Sequence, residues 1–219
     1  MPHELSEDRE GGAPATRRER MLELGAVLLL SLTAVATAWS GYQAARWSGE
    51  QSKSYARANT IRIQSQKAST RAGQLRIDDL LDFNGWLNAH DAGDARLTLI
   101  YERRFRPEFR PAFHAWLAQH PFTNPQAVPG PLYMPQYHPA ALTRSAALDA
   151  EADGLYTEGT DAKANDDHYI LSTVFFAAVL FFAGISLRLE WYRLRVAVLG
   201  MATVLLLGGL TFVFTLPIA

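Results

Sequence analysis

The chain has 219 residues, 48% hydrophobic and 20% charged, with no cysteine and a formal net charge of −1. These averages fit a soluble domain, but Leu24–Ala45, Tyr169–Leu187 and Val196–Ala219 contain no Lys, Arg, Asp or Glu at all. Uncharged apolar runs of about 18 residues or more are the signature of membrane-spanning helices. A cytosolic globular enzyme and a secreted disulfide scaffold are therefore excluded, and the balanced charge argues against a nucleic-acid partner.

In chain order, the first elements expected are a cytoplasmic tail over residues 1–20 and a first transmembrane helix over 21–45. Arg17, Arg18 and Arg20 precede an apolar stretch ending Ala36-Thr37-Ala38, a pattern shared with cleaved signal peptides. Trp39 is bulky for a mature first residue and the uncharged run continues past it, so an uncleaved anchor is the reading adopted. Along this span Thr33, Thr37, Gly41 and Ala45 step by four, as do Ala36, Ser40, Ala44 and Ser48. Small residues at that spacing let helices approach closely in lipid, which makes the first span the expected packing hub of the spans or of an oligomer. The competing reading places Thr33, Thr37, Ser40 and Gln43 around a pore.

Residues 46–168 form the expected soluble part. Ser48–Leu75 lacks proline and is rich in Ala, Gln, Ser, Arg and Lys, so it predicts a helix continuing out of the first span. Ile77, Leu80, Leu81 and Leu87 extend the helical pattern. Phe105–Pro139 holds eight of the eleven prolines and reads as a cap. Within it Phe105, Phe109, Phe113 and Leu117 step by four, predicting a short helix over Pro107–Gln119 in which Pro111 is awkward. Extended, turn-rich chain is expected from Pro121 to Pro139. Ala140–His168 predicts a helix running into the second span, with Ala141, Leu148, Leu155, Ala162 and Tyr169 recurring every seven residues as a seam that wants a partner. No segment reads as a strand.

The remaining elements are a second span over 169–187, a hairpin over 188–195 and a third span over 196–219. The hairpin carries Arg188, Arg193 and Arg195 against Glu190 alone, while Thr211–Ala219 is uncharged. Short basic loops stay inside, which puts the N-terminus in the cytoplasm and 46–168 outside it. The expectation is an all-α, multi-pass protein of the inner (plasma) membrane.

Two segments carry a resemblance. Trp39-Ser40-Gly41-Tyr42-Gln43-Ala44-Ala45-Arg46-Trp47-Ser48-Gly49-Glu50-Gln51 leaves the first span, and Asn165-Asp166-Asp167-His168-Tyr169 enters the second. They resemble segments of short bacterial membrane proteins of unknown function, over roughly Met21 to Leu207. The resemblance implies one span, a helical soluble segment and two closing spans, and it assigns no residue a role.

The search for chemistry finds little. His3, His90, His114, His120, His138 and His168 include no pair three or four apart, the spacing of helical metal ligands. His114, His120 and His138 could meet in the cap, joined by His90, Asp91 and Asp94, but surface roles are the expectation. Asp78, Asp79 and Asp82 read as a solvated face or helix-start charge. No phosphate loop, nucleophile elbow or metalloprotease motif is present, and no cofactor is expected.

Charge supplies the last signal. Arg46–Ile77 has net charge +6 and Asp149–Asp167 has −6. In an antiparallel helix pair, facing residues have a nearly constant index sum. Arg46 with Asp161 gives 207, Arg57 with Asp153 gives 210, and Lys53 with Glu158 and Arg62 with Asp149 each give 211. These four pairs are the expected register. The functional expectation is a non-enzymatic scaffold or accessory subunit that contacts lipid, itself or another membrane protein. An ion channel lined by the first span, or a ligand-binding sensor, is the alternative.

Overall fold

The computed structural model describes residues 17–219. Most of the expected tail, 1–20, and His3 lie outside the described residues. Five α-helices follow one another: α1 Arg17–Asp91, α2 Ala95–Arg104, α3 Arg110–Leu117, α4 Ala140–Ser186 and α5 Tyr192–Thr215. One 3-10 turn, Pro131–Tyr133, interrupts the loop before α4, and no strand occurs among the described residues. Helices α1, α4 and α5 are each long and apolar enough to cross a membrane. The chain is an all-helical protein with three candidate membrane-spanning helices.

Sequence chemistry explains where helices start and stop. No proline falls between Pro14 and Pro107, so nothing breaks the 75 residues of α1. It ends where Gly93 adopts φ of +70°, a conformation that costs other residues a clash with Cβ. Asp94 then caps α2, its side chain accepting from the Leu97 amide at 2.9 Å. Residues 88–104 had no predicted element, and this Gly-Asp pair is the signal that was overlooked. Helix α3 begins later than Pro107, and Pro111 falls in its first turn, where a missing amide hydrogen is harmless. Ala140–Ser186 forms one helix, as the absence of proline between Pro139 and Pro217 predicts.

Packing divides the chain into two compact units, one of residues up to Gln51 together with Asp161–Ala219, the other Ser52–Thr160. In the first unit, Leu29 and Ala44 of α1, Tyr169, Phe176, Val179 and Ala183 of α4, and Ala202, Leu206 and Val213 of α5 form one core. Of the expected seven-residue seam of α4, Ala162 and Tyr169 are buried and the repeat continues at Phe176 and Ala183, whereas Ala141, Leu148 and Leu155 are only half-buried. A Cβ at Gly209 would lie 2.8 Å from the buried Phe176 ring, whereas one at Gly200 would meet nothing within 4 Å. Gly209→Leu is therefore expected to lower stability in detergent by about 1–3 kcal/mol, the usual cost of overpacking. Gly200→Leu should leave the melting temperature unchanged. Equal melting temperatures for the two variants would show that the Phe176–Gly209 contact is not tight.

In the second unit, α1 and α4 run antiparallel. Ala58, Ser65, Ala72, Asp79 and Trp86 recur every seven residues on α1, and all are buried. Ser145, Ala152 and Gly159 keep the same interval on α4 and are buried too. Small residues at that repeat let the two backbones approach closely. Ser65 Oγ donates to the Ser145 carbonyl at 3.0 Å, and the rings of Tyr55 and Tyr156 stack at 5.1 Å. A Cβ on Gly159 would come within 2.5 Å of the Tyr55 ring.

The charge register differs from the expected one. Asp153 accepts from Arg62 at 2.7 Å, so the acid assigned to Arg57 lies about one helical turn further along, and Asp149 does not receive Arg62. Arg46 and Asp161 lie in the first unit and form no ion pair with each other among the described residues. Lys53 and Glu158 both belong to the second unit. Asp161 precedes an ion pair made within α4, Lys163 to Asp167 at 2.8 Å. The pairing of Arg62 with Asp153 is largely solvated and contributes no more than about 1 kcal/mol. Apolar and small-residue packing sets this register, and charge follows it.

Candidate functional site

At one end of the first unit, side chains from both motif segments converge on residues 217–219. Trp47 Nε1 and the Tyr169 hydroxyl each donate to the Pro217 carbonyl at 3.1 Å. The Ala219 amide donates to Gln43 Oε1, also at 3.1 Å. Gln43 and Trp47 lie one turn apart on α1, and Tyr169 begins the uncharged stretch of α4. Helix α5 ends at Thr215 with Leu216 as its cap, so the Pro217 carbonyl lies beyond the helical hydrogen bonding and needs donors from elsewhere. Trp47 and Tyr169 supply them, and the Ala219 amide in turn gives the buried Gln43 oxygen a donor. Composition and spacing gave no hint of this clasp, because each of its bonds has a backbone atom, the Pro217 carbonyl or the Ala219 amide, on one side.

The small-residue stripe divides between interior and exterior. Thr33 is buried, Thr37 half-buried, and Gly41 and Ala45 are exposed. The inward side of α1 instead carries Ala26, Leu29, Thr33, Ser40, Gln43 and Ala44. Thr33 and Thr37 hydroxyls donate back to the Leu29 and Thr33 carbonyls at 2.6 and 2.7 Å. A pore would need Thr33, Ser40 and Gln43 to face an axis between chains. All three face the interior of a single chain, and Gln43 is committed to the clasp.

The second unit holds the other polar centre. Asp79, expected on a solvated face, is only 2% exposed. Arg106 Nε donates to its Oδ1 at 2.9 Å and Arg106 NH2 to its Oδ2 at 2.6 Å, a bidentate pair. The Tyr137 hydroxyl donates to Oδ2 at 2.9 Å, and Arg106 also reaches Glu108 at 3.1 Å. Hydrogen bonding to Asp79 holds the Arg106 guanidinium above its ordinary range. Burial, then the bond to Asp79, pushes the Tyr137 hydroxyl up to about 12. Asp82 is likewise used, meeting Arg104 at 3.3 Å.

A general base needs a free lone pair facing a substrate. Both Asp79 oxygens are taken, one of them twice, so this carboxylate acts as a clamp tying α1 to the chain on either side of α3. Around it Phe83, Trp86, Phe105, Phe109, Phe113 and Trp116 are buried together. His90 stacks against Trp86 at 5.0 Å and Phe122 at 4.7 Å, which makes it an aromatic packing residue. Among the described residues, no three His, Cys, Asp or Glu side chains are grouped to hold a metal ion.

No family model, curated protein or solved structure matches the chain.

Proposed function

We propose that this is a multi-pass protein of the inner membrane whose helical domain, 46–168, lies outside the cytoplasm. In this reading it acts without catalysis, as a self-associating scaffold or accessory subunit. The observation that carries the reading is on α1. Ile77, Leu80 and Leu81, at helical spacing on a segment outside the apolar spans, are 58%, 42% and 63% exposed. Contiguous exposed apolar groups on a soluble helix mark a contact surface. The same helix exposes Gly41 and Ala45 in its apolar part, where small residues favour close helix approach. A second copy of this chain answers each requirement, because a two-fold interface pairs a surface with itself. The arginines of the 188–195 turn supply the orientation.

The test joins orientation to association. Single cysteines replacing Ser69, Glu190 and Ala219 are exposed in intact cells to an impermeant thiol reagent. Labelling of Ser69→Cys and Ala219→Cys, with Glu190→Cys protected, is the expected result. In detergent, the particle should contain more than one 24.3 kDa chain. Leu80→Glu with Leu81→Glu should shift it towards a single chain. Labelling at position 190, or a wild-type particle holding one chain, overturns the reading.

A further inference from the structure

We infer that the second unit carries a binding site for a small phosphate-bearing anion, in the groove between the middle of α1 and the start of α4. This inference stands independently of the scaffold reading. The groove encloses about 470 Å³, within the range of about 300–1,000 Å³ typical of small-molecule sites. Lys67 and Arg71, one turn apart on α1, and Arg144 from α4 are its charged lining groups, with Gln64 as a neutral hydrogen-bonding neighbour. No acidic side chain is among the lining residues.

That charge balance sets the groove apart from its surroundings. The adjacent groove on the same helix pair sets Arg57 beside Glu151. Of the acids elsewhere in the second unit, Asp79 is paired with Arg106, Asp82 with Arg104 and Asp153 with Arg62. Three cations therefore line one groove with no acid among its lining residues. An anion bound between them replaces mutual repulsion with charge-assisted hydrogen bonds. Two guanidinium forks and one ammonium match a tetrahedral dianion, which accepts from several directions, better than they match a flat carboxylate. Ala68, Ala140 and Ala141 make small walls that leave room for such a group. The amides of Ala140 and Ala141, the first in the 47-residue α4, have no acceptor within that helix and add partial positive charge.

The experiment uses the full-length protein in detergent, titrated calorimetrically with pyrophosphate at an ionic strength held constant with sodium chloride. Saturable binding is expected, with at least a tenfold loss of affinity in Arg71→Gln and in Arg144→Gln. Arg71→Lys, which keeps the charge but removes the fork, should lose less than Arg71→Gln. Arg57→Gln, which alters the acid-balanced groove, should bind as the wild type does. Citrate tests the alternative anion class and should bind more weakly than pyrophosphate. All variants change exposed side chains, and their melting temperatures without ligand report their folding. Absence of saturable binding, equal weakening by Arg57→Gln, or tighter binding of citrate overturns the assignment.

Discussion

Asp79→Ala is expected to cost about 3–5 kcal/mol, the penalty for removing one partner of a buried ion pair. The carboxylate receives Arg106 through two bonds and Tyr137 through a third, so its loss leaves a guanidinium and a phenol facing a void. Unfolding followed by tryptophan fluorescence checks this, because Trp86 and Trp116 lie in the neighbouring aromatic core. Asp79→Asn fills the space but removes the charge, and a smaller loss is expected. Replacing the set together, with Asp79→Leu, Arg106→Met and Tyr137→Phe, should recover much of the stability, since the one charge that loses its partner, Glu108, is 36% exposed and can be solvated. A loss below about 1 kcal/mol in Asp79→Ala would mean that the clamp is not what fastens this region.

Tyr137 adds a pH signature to the same cluster. Its hydroxyl is raised in the folded state from an ordinary 10 to about 12, so the folded protein holds this proton more tightly than the unfolded one. The stabilisation is complete below pH 10 and is lost as pH rises through about 12. Tyr137→Phe cannot show that loss. The stability advantage of wild type over Tyr137→Phe should therefore shrink between pH 10 and 12, and a constant difference would exclude the bond to Asp79 as its source.

The long helices were legible because their signals are local. Absence of proline, a repeat of seven in α4 and uncharged runs are properties of neighbouring residues, and α1, α4 and α5 follow from them. Asp79 was not legible, because its partners lie 27 and 58 residues away in a proline-rich segment without periodicity. The charge pairs show an intermediate case. Index sums of about 210 describe the helix register well, as Ser65 with Ser145 shows at 210. A long arginine side chain reaches across a turn, however, and Arg62 meets Asp153 at a sum of 215. Backbone register was readable to within a turn, but side-chain partnership was not. The clasp on Pro217 was hidden for another reason. A backbone carbonyl carries no sequence label, so Gln43 read as a candidate pore-lining residue and Tyr169 as a member of the α4 seam.

Trp86→Ala is expected to have an effect as large as Asp79→Ala, for an apolar reason. The indole is 2% exposed, and it meets Phe113 edge-on at 4.8 Å and stacks on His90 at 5.0 Å. Truncation removes those contacts and opens a cavity where α1, α3 and the following loop meet, and large aromatic deletions of this kind cost about 3–5 kcal/mol. Trp86→Phe separates the ring from its N–H, which donates to Glu102 Oε1 at 3.0 Å. That variant keeps most of the packing but leaves the half-buried carboxylate short of a donor, so about 1–2 kcal/mol is expected. Tyr133→Ala supplies the contrast, because Tyr133 is 66% exposed and its loss should change stability by no more than about 0.5 kcal/mol. Chemical unfolding of the three variants orders them. If Trp86→Phe proves as damaging as Trp86→Ala, the bond to Glu102 rather than aromatic packing holds α1 against α2. If neither variant differs from Tyr133→Ala, the aromatic cluster is not the core of the second unit.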